Sequence, residues 1–253
     1  MKREQIYLST IDPEAGDIAR QYGLGVEIAE FCTAWNMDEH LAETEQTLET
    51  TLSGISRRVL HGPFNELFPC AIDPKARELA RLRYRQAIAL AQRYGADKVV
   101  LHGGYNPWLY YPQWYREQSI PFWKDFLPEI PEGITVCLEN VLEETPEMLL
   151  SIVQAVDDPK LRLCLDIGHS NAYSKIPVSQ WLETSIPCLS HLHIHNNSGA
   201  GDTHSPLDAG TIPVKELLRR AGQMCPGVTA TLELPRSRSS VRWLLEEETW
   251  RKN

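Results

Sequence analysis

The chain lacks long apolar runs and paired cysteines. No stretch of about 18 consecutive apolar residues occurs, so we expect no membrane-spanning helix, and the start Met1-Lys2-Arg3 shows no apolar signal segment. The six cysteines form no Cys-x-x-Cys pair, which argues against a thiolate zinc site or a redox motif. Cys137 and Cys164 lie in apolar runs, typical of small buried side chains. These absences predict a protein of the reducing cytoplasm.

Excess positive charge is also absent. The formal net charge is −9 and the isoelectric point is about 5.4, so electrostatics offers no reason to expect general nucleic-acid binding. Duplex DNA is therefore an unexpected partner. The hydrophobic fraction of 42% and the charged fraction of 23% are ordinary for a globular protein. A length of 253 residues matches the roughly 250 of one TIM barrel.

Short β-branched runs alternate with longer helical patterns along the whole chain. Most runs are continuously apolar, as expected for parallel strands that are covered on both faces. The eight predicted strands are Ile6–Ser9, Gly25–Phe31, Arg58–His61, Lys98–His102, Ile134–Glu139, Leu161–Asp166, His191–His195 and Val228–Glu233. No break in composition separates them, so residues 1–253 are predicted to form one α/β domain.

Helices and loops fill the intervals between the strands. The predicted helices are Asp73–Tyr94, Thr145–Val156, Val178–Leu182, Val214–Ala221 and Ser239–Trp250. Two segments are predicted as loops, the aromatic Gly103–Trp123 and the polar Asn196–Gly210. No glycine-rich phosphate loop follows the first strand, which argues against a dinucleotide-binding sheet. Eight β/α units instead predict a single closed (β/α)8 TIM barrel.

Ionisable side chains stand where the later strands end. They are His61, His102, Glu139, Asp166 with His169 three residues on, the trio His191, His193 and His195, and Glu233. The carboxyl ends of barrel strands converge on one mouth, so these groups would crowd a small volume. Several buried carboxylates would repel each other unless a cation joined them. Imidazole mixed with carboxylate predicts a divalent transition metal: Zn²⁺, Mn²⁺, Fe²⁺ or Co²⁺.

This ordered set resembles the xylose isomerase-like TIM-barrel superfamily, which contains sugar isomerases and epimerases and the endonuclease IV type (AP endonuclease family 2). In the isomerase and epimerase branch, the resemblance implies that one metal is held by a residue from each of strands five to eight. The matching residues are Glu139, Asp166, His193 and Glu233. His193 matches better than its neighbours, although all three histidines of that strand share one face.

The endonuclease IV type implies five further ligands and as many as three metals. The positions that match them in order are His61, His102, His169, Asp202 and His204. The last two precede Ser-Pro-Leu-Asp-Ala-Gly-Thr-Ile, which resembles the glycine-containing stretch of that type. One to three ions per chain are therefore expected.

Two reactions fit such a mouth. Asp202 and His204 favour phosphoester hydrolysis, because a multi-metal cluster can generate hydroxide near neutral pH and isomerisation does not need them. The alternative is sugar or sugar-phosphate isomerisation or epimerisation, with Glu139 and Glu233 moving a proton on carbon. In that alternative, His169 and Arg236 hold substrate oxygens. A metal-stabilised binding protein is disfavoured, because structural sites are usually closed and four-coordinate.

Aromatic residues after the fourth strand suggest a planar or sugar-like ligand. Tyr105 and Trp108 are the predicted substrate contacts, while packing of this segment onto its own helix is an equally weighted alternative. The remaining aromatics are Tyr110, Tyr111, Trp114 and Tyr115. The predicted substrate is a small phosphorylated sugar or nucleotide-like molecule. A homo-oligomer is compatible with the sequence, which does not determine the assembly.

Overall fold

A computed structural model describes residues 1–245 of the chain. Its strands are β1 Ile6–Ser9, β2 Gly25–Ile28, β3 Arg58–His61, β4 Lys98–His102, β5 Thr135–Glu139, β6 Leu161–Asp166, β7 Leu189–Ile194 and β8 Thr229–Leu232. Each strand pairs in parallel with the next, and β8 closes onto β1 through Tyr7 and Thr231. The predicted closed (β/α)8 barrel is confirmed.

Helices follow the strands and cover the outside of the barrel. They are α1 Ala15–Tyr22, α2 Ala34–Asp38, α3 Leu41–Thr51, α4 Pro74–Tyr94, α5 Pro112–Phe126, α6 Pro146–Val156, α7 Ile167–Tyr173, α8 Val178–Ser185, α9 Val214–Met224 and α10 Arg238–Leu245. The predicted helix Ser239–Trp250 matches α10 as far as Leu245, and the rest of that prediction lies outside the described residues. Between residues 1 and 245, no helix is both long enough and apolar enough to cross a bilayer.

The prediction of a loop over Gly103–Trp123 is wrong in its second half. Pro112 occupies the first turn of α5, where its fixed φ angle suits a helix and its missing N–H costs nothing. The aromatic residues of α5 face inward, and Trp123 stacks on Tyr84 of α4 with ring centroids 5.8 Å apart. The aromatic residues of this helix therefore build an interface between neighbouring helices.

The second strand ends earlier than predicted. It was expected to reach Phe31 but stops at Ile28. The next backbone N–H, of Ala29, donates to the Thr10 hydroxyl oxygen at 2.9 Å, and a short 3₁₀ turn follows at Glu30–Cys32. A side-chain acceptor thus takes the N–H that would have continued the ladder.

The barrel interior is layered. Apolar side chains of several strands form a small cluster of their own, namely Tyr7, Val59, Val100, Cys137 and Cys164. The predicted burial of Cys137 and Cys164 is confirmed, and both are free thiols. The main hydrophobic core lies outside the barrel, between strands and helices. Above the inner cluster, toward the carboxyl ends of the strands, the inward side chains become ionisable.

Replacement of Trp123 by Ala should lower the free energy of unfolding by about 3–5 kcal/mol, because a fully buried aromatic ring is lost. The control is Trp108→Ala, which removes an indole that is 82% exposed and should change stability by less than about 0.5 kcal/mol. Urea unfolding followed by circular dichroism measures both. Equal effects of the two substitutions would contradict the packing of α5 described above.

Candidate metal centre

The carboxyl ends of the strands place the predicted donors at one mouth. Strands β3 to β6 end on His61, His102, Glu139 and Asp166. The remaining predicted donors are His169 in α7, His193 in β7, Asp202 and His204 in the loop after β7, and Glu233 directly after β8. The structure therefore brings together every donor predicted from the sequence.

The donors form overlapping groups whose ligand atoms lie within 4.8 Å of one another. The central group is Glu139, Asp166, His193 and Glu233. The β3–β4 group is His61, His102 and Glu139, and the loop group is His169, His195, Asp202 and His204. A further overlapping set joins Glu27 to His61, His193 and Glu233. Glu139 belongs to both the central and the β3–β4 group.

Glu139 is the geometric hub of the mouth. Its Oε2 lies 3.5 Å from His61 Nε2 and 3.4 Å from His102 Nε2. Its Oε1 lies 3.1 Å from His193 Nδ1. Within residues 1–245, neither oxygen has a partner in hydrogen-bond geometry, although the side chain is only 1% exposed.

Other buried atoms of the mouth are also unsatisfied. Among the described residues, His193 Nδ1, His195 Nδ1 and Asp202 Oδ1 make no hydrogen bond. Burying polar atoms without partners is costly, and such atoms are rare in folded proteins. A divalent cation among them would satisfy carboxylate oxygens and imidazole nitrogens together. The donor set fits a transition metal such as Zn²⁺ or Mn²⁺.

Backbone carbonyls orient three of the histidines. The carbonyl partners of Nδ1 are Gly62 at 2.9 Å for His61, Asn140 at 3.0 Å for His169 and Glu233 at 2.8 Å for His204. A carbonyl oxygen only accepts, so each Nδ1 carries the hydrogen of the neutral ring. In the neutral ring Nε2 has the lone pair that can bind a metal, and each Nε2 faces a carboxylate of the mouth. Such outer contacts are typical of metal-binding imidazoles.

The carboxylates hold protons on the histidines. Burial alone lowers the pKa of His61, but the contact with the Glu139 carboxylate and the nearby carboxylates outweigh it and raise that pKa to about 9. Burial likewise opposes protonation of His204, and the bond to Asp202 raises its pKa to about 9. Without a metal, both rings are therefore protonated at neutral pH.

Some residues of the mouth were missed from the sequence. Glu27 of β2 is fully buried and faces His193, and its only signal was a charged residue inside an apolar run. His195 was expected near the mouth but was not among the predicted ligands; it lies just beyond β7, and its Nε2 is 3.2 Å from Asp166. Phe64 stacks on His102 with ring centroids 4.3 Å apart. The predicted strand His191–His195 is shifted, because β7 starts at Leu189 and ends at Ile194.

The predicted substrate contacts lie in different surroundings. Arg236 is exposed and lines a surface cleft with Asp12 and Arg238. Trp108 is exposed as well, whereas Tyr105 is buried and packs on Tyr115 with ring centroids 5.1 Å apart. For Tyr105 and Tyr115 the structure therefore shows the packing alternative. Contact of Arg236, Trp108 or Tyr105 with substrate stays a prediction.

A glycine makes room for the loop group. Gly168 precedes His169 in α7, and the ring of His195 lies against its backbone. A Cβ at this position would stand 1.8 Å from Cε1 of His195. Only glycine therefore lets α7 and the end of β7 approach closely enough to share the site.

Metal affinity should rise with pH from neutral to at least about pH 9. The pKa values of His61 and His204 are raised to about 9, and carboxylates also raise those of His169 and His193, so a metal must displace ring protons at neutral pH. Zinc affinity measured by chelator competition at several pH values checks this. Calorimetry in buffers of different ionisation enthalpy should show proton release at pH 7. A pH-independent affinity would contradict the prediction.

The family model of the xylose isomerase-like TIM barrel matches residues 17–253. The uncharacterized protein MJ1311 from Methanocaldococcus jannaschii is 31% identical over 195 residues, which cover 73% of this chain and 66%, just under two thirds, of that relative. The chain therefore belongs to the xylose isomerase-like TIM-barrel family, as the resemblance of its motifs predicted.

Solved structures share the fold along almost the whole chain. A D-tagatose 3-epimerase-like protein superposes with a TM-score of 0.74 at 24% identity, covering 94% of this chain and 93% of its own. The TTHB071 protein from Thermus thermophilus, soaked with ZnCl₂, gives a TM-score of 0.75 at 25% identity, covering 95% and 96%. At such identities, these neighbours establish the architecture and leave the reaction open.

Proposed function

We propose that the chain is a divalent-metal-dependent isomerase or epimerase acting on a small sugar or sugar phosphate. The observation that carries this proposal is the convergence of two carboxylates on one nitrogen. Glu139 Oε1 lies 3.1 Å and Glu233 Oε1 lies 3.6 Å from His193 Nδ1. The fold shared with an epimerase-like protein supports the same reaction class.

The ion is proposed to bind between Glu139, Asp166, His193 and Glu233. When bound, it would polarise neighbouring carbonyl and hydroxyl oxygens of the substrate. Glu139 ends β5 and Glu233 follows β8, so the two carboxylates approach the mouth from different sides of the barrel. One takes a proton from carbon and the other returns a proton, as general acid–base chemistry requires.

The residues around the central group are proposed to hold the substrate. His169 is held by the Asn140 carbonyl, so its Nε2 can serve a substrate oxygen or Asp202. Arg236 and Trp108 lie on exposed segments, where they can meet the remoter part of a ligand. A cytoplasmic location and a homo-oligomeric state stay predictions.

Phosphoester hydrolysis is the second candidate. One observation favours it: Asp202 Oδ2 lies 3.3 Å from His169 Nε2 and 3.1 Å from His204 Nε2, so the loop group offers a donor set of its own. Two or three ions would then act on one phosphate. The sequence pattern placed this reaction first, whereas the similar solved structures favour isomerisation or epimerisation.

Solvent exchange tests the proposed reaction. In heavy water, the metal-loaded chain should incorporate deuterium into a ketose or its phosphate, detected by mass spectrometry across a panel of substrates. Glu139→Gln or Glu233→Gln should lower the rate by about 10²–10⁴-fold, because a general base or acid is lost. The control is Glu129→Gln, a surface carboxylate paired with Arg81. No exchange with any member of the panel would contradict the proposal.

Asp202→Asn separates the two candidate reactions. Isomerisation at the central group should keep most of its rate in this variant, with one ion per active chain by elemental analysis. Hydrolysis of bis-p-nitrophenyl phosphate should be lost, because the loop group would no longer bind its ion. Phosphodiester cleavage by the wild type that disappears in Asp202→Asn, together with two or three ions per chain, would establish the second candidate instead.

A further inference from the structure

Beneath the metal donors, one side of the barrel interior is polar. Glu27, His191 and Thr231 are fully buried there, and Lys98 with Thr229 continues the row toward the opposite end of the strands. TIM-barrel interiors are usually filled by branched apolar side chains. A buried carboxylate is costly unless donors surround it.

The row begins at a group that only donates. The Lys98 ammonium donates to the Thr229 hydroxyl oxygen and to the Ser190 carbonyl, both at 2.8 Å. The Thr229 hydroxyl oxygen lies 2.5 Å from His191 Nδ1. This contact is much shorter than the 3.4 Å from the hydroxyl to the Ser190 carbonyl. His191 Nε2 lies 2.8 Å from the Thr231 hydroxyl oxygen, whose own hydrogen is donated to Glu27 Oε2. Nε2 therefore carries the hydrogen of the neutral His191 ring, and Nδ1 accepts from Thr229.

Every neighbour of the Glu27 carboxylate is then a donor. His191 Nε2 lies 3.1 Å from its Oε2, and the Thr231 hydroxyl lies 2.6 Å from the same oxygen. His193 Nε2 is hydrogen-bonded to Oε2 at 3.2 Å and lies 3.0 Å from Oε1, an oxygen that has no hydrogen-bond partner among the described residues. An ionised carboxylate only accepts, so Nε2 of His193 must carry a hydrogen.

This contact leaves His193 Nδ1 as the ligand atom. Nδ1 faces the carboxylates of Glu139 at 3.1 Å, Glu233 at 3.6 Å and Asp166 at 3.9 Å. His61, His169 and His204 are held the opposite way, with Nδ1 donating to a carbonyl. His193 therefore differs from these three in the nitrogen that it presents to the mouth.

We propose that Glu27 is the positioning residue that fixes the Nε2–H tautomer of His193, and that Lys98, Thr229 and His191 hold Glu27 in place. The proposal rests on the proposed metal centre but not on which reaction that centre performs. Its direct consequence concerns metal affinity and the protonation pattern of one ring, so both can be measured without a substrate.

Glu27→Gln is the main test. The glutamine amide turns one oxygen into a donor that faces Thr231, His191 and His193, all of which already donate. Its NH₂ group should donate to His193 Nε2 and move the ring hydrogen to Nδ1, the ligand atom. Zinc affinity measured by chelator competition should fall by about 10–100-fold, as for other outer contacts of metal-binding histidines. The matched control is Glu30→Gln, a nearby carboxylate that accepts from Thr10.

Nuclear magnetic resonance provides a readout that a purely structural role would not change. Long-range ¹H–¹⁵N correlations of the zinc-loaded wild type should show His193 protonated at Nε2 and zinc-bound at Nδ1, and this pattern should be lost in Glu27→Gln. Lys98→Met acts from the far end of the row and touches no donor of the mouth. It should weaken zinc binding less than Glu27→Gln but in the same direction, which keeps the test usable if Glu27→Gln fails to fold.

The outcomes that overturn the role of Glu27 are specific. Binding of zinc through Nε2 of His193 in the wild type would overturn this role. Equal zinc affinities of Glu27→Gln, Glu30→Gln and the wild type would also overturn it. If Glu27→Gln fails to fold, an unchanged zinc affinity in Lys98→Met would overturn the proposal that this row of residues holds Glu27 in place. A wild-type chain that binds no zinc, manganese, iron or cobalt would overturn the metal centre itself, and with it this role.

Discussion

The bare carboxylate of Glu139 is the constraint on which the rest of the mouth depends. Its two oxygens are buried and lie within 3.5 Å of histidine nitrogens. In the described part of the chain, neither oxygen has a partner in hydrogen-bond geometry. Both oxygens are shielded from solvent, and the histidines His61, His102, His169 and His193 lie against them. The folded chain thus holds a concentration of negative charge that protonated imidazoles or divalent cations must balance.

The barrel makes this arrangement possible in structural terms. Eight parallel strands bring residues from separate parts of the chain to one mouth, and the hydrogen-bonded ladder fixes where each strand ends. Backbone carbonyls next to the mouth then orient the imidazoles of His61, His169 and His204. These contacts set the ring orientations before any ion or substrate arrives, which lowers the cost of assembling the site on binding.

Continuous apolar runs that stop at a polar residue predicted the architecture well. The bounds of β1, β3, β4 and β6 agree with the predicted runs to the residue, because burial on both faces leaves a clear signal. The family motifs likewise marked the donors of the mouth in order. Where side-chain chemistry ends an element, prediction failed: β2 stops at the Thr10 hydroxyl, and α5 was hidden by its aromatic and proline content.

The contacts within the mouth could not be predicted from the sequence. Glu27 and His193 are 166 positions apart and meet because β2 and β7 face each other across a closed barrel. Their pairing depends on the stagger of the strands, which hydrophobic patterning does not specify to the ångström. A lone charge inside an apolar strand is nonetheless a usable signal, since an unpaired carboxylate would not be tolerated there.

Sharing one carboxylate between two donor groups has a consequence for how the mouth fills. A cation in the central group would draw electron density from Glu139 and leave it a weaker ligand for the pair His61 and His102. Ions would then enter stepwise, the second with lower affinity than the first. The number of ions per chain would follow the free metal concentration, so one polypeptide could exist in differently charged forms under metal-poor and metal-rich conditions.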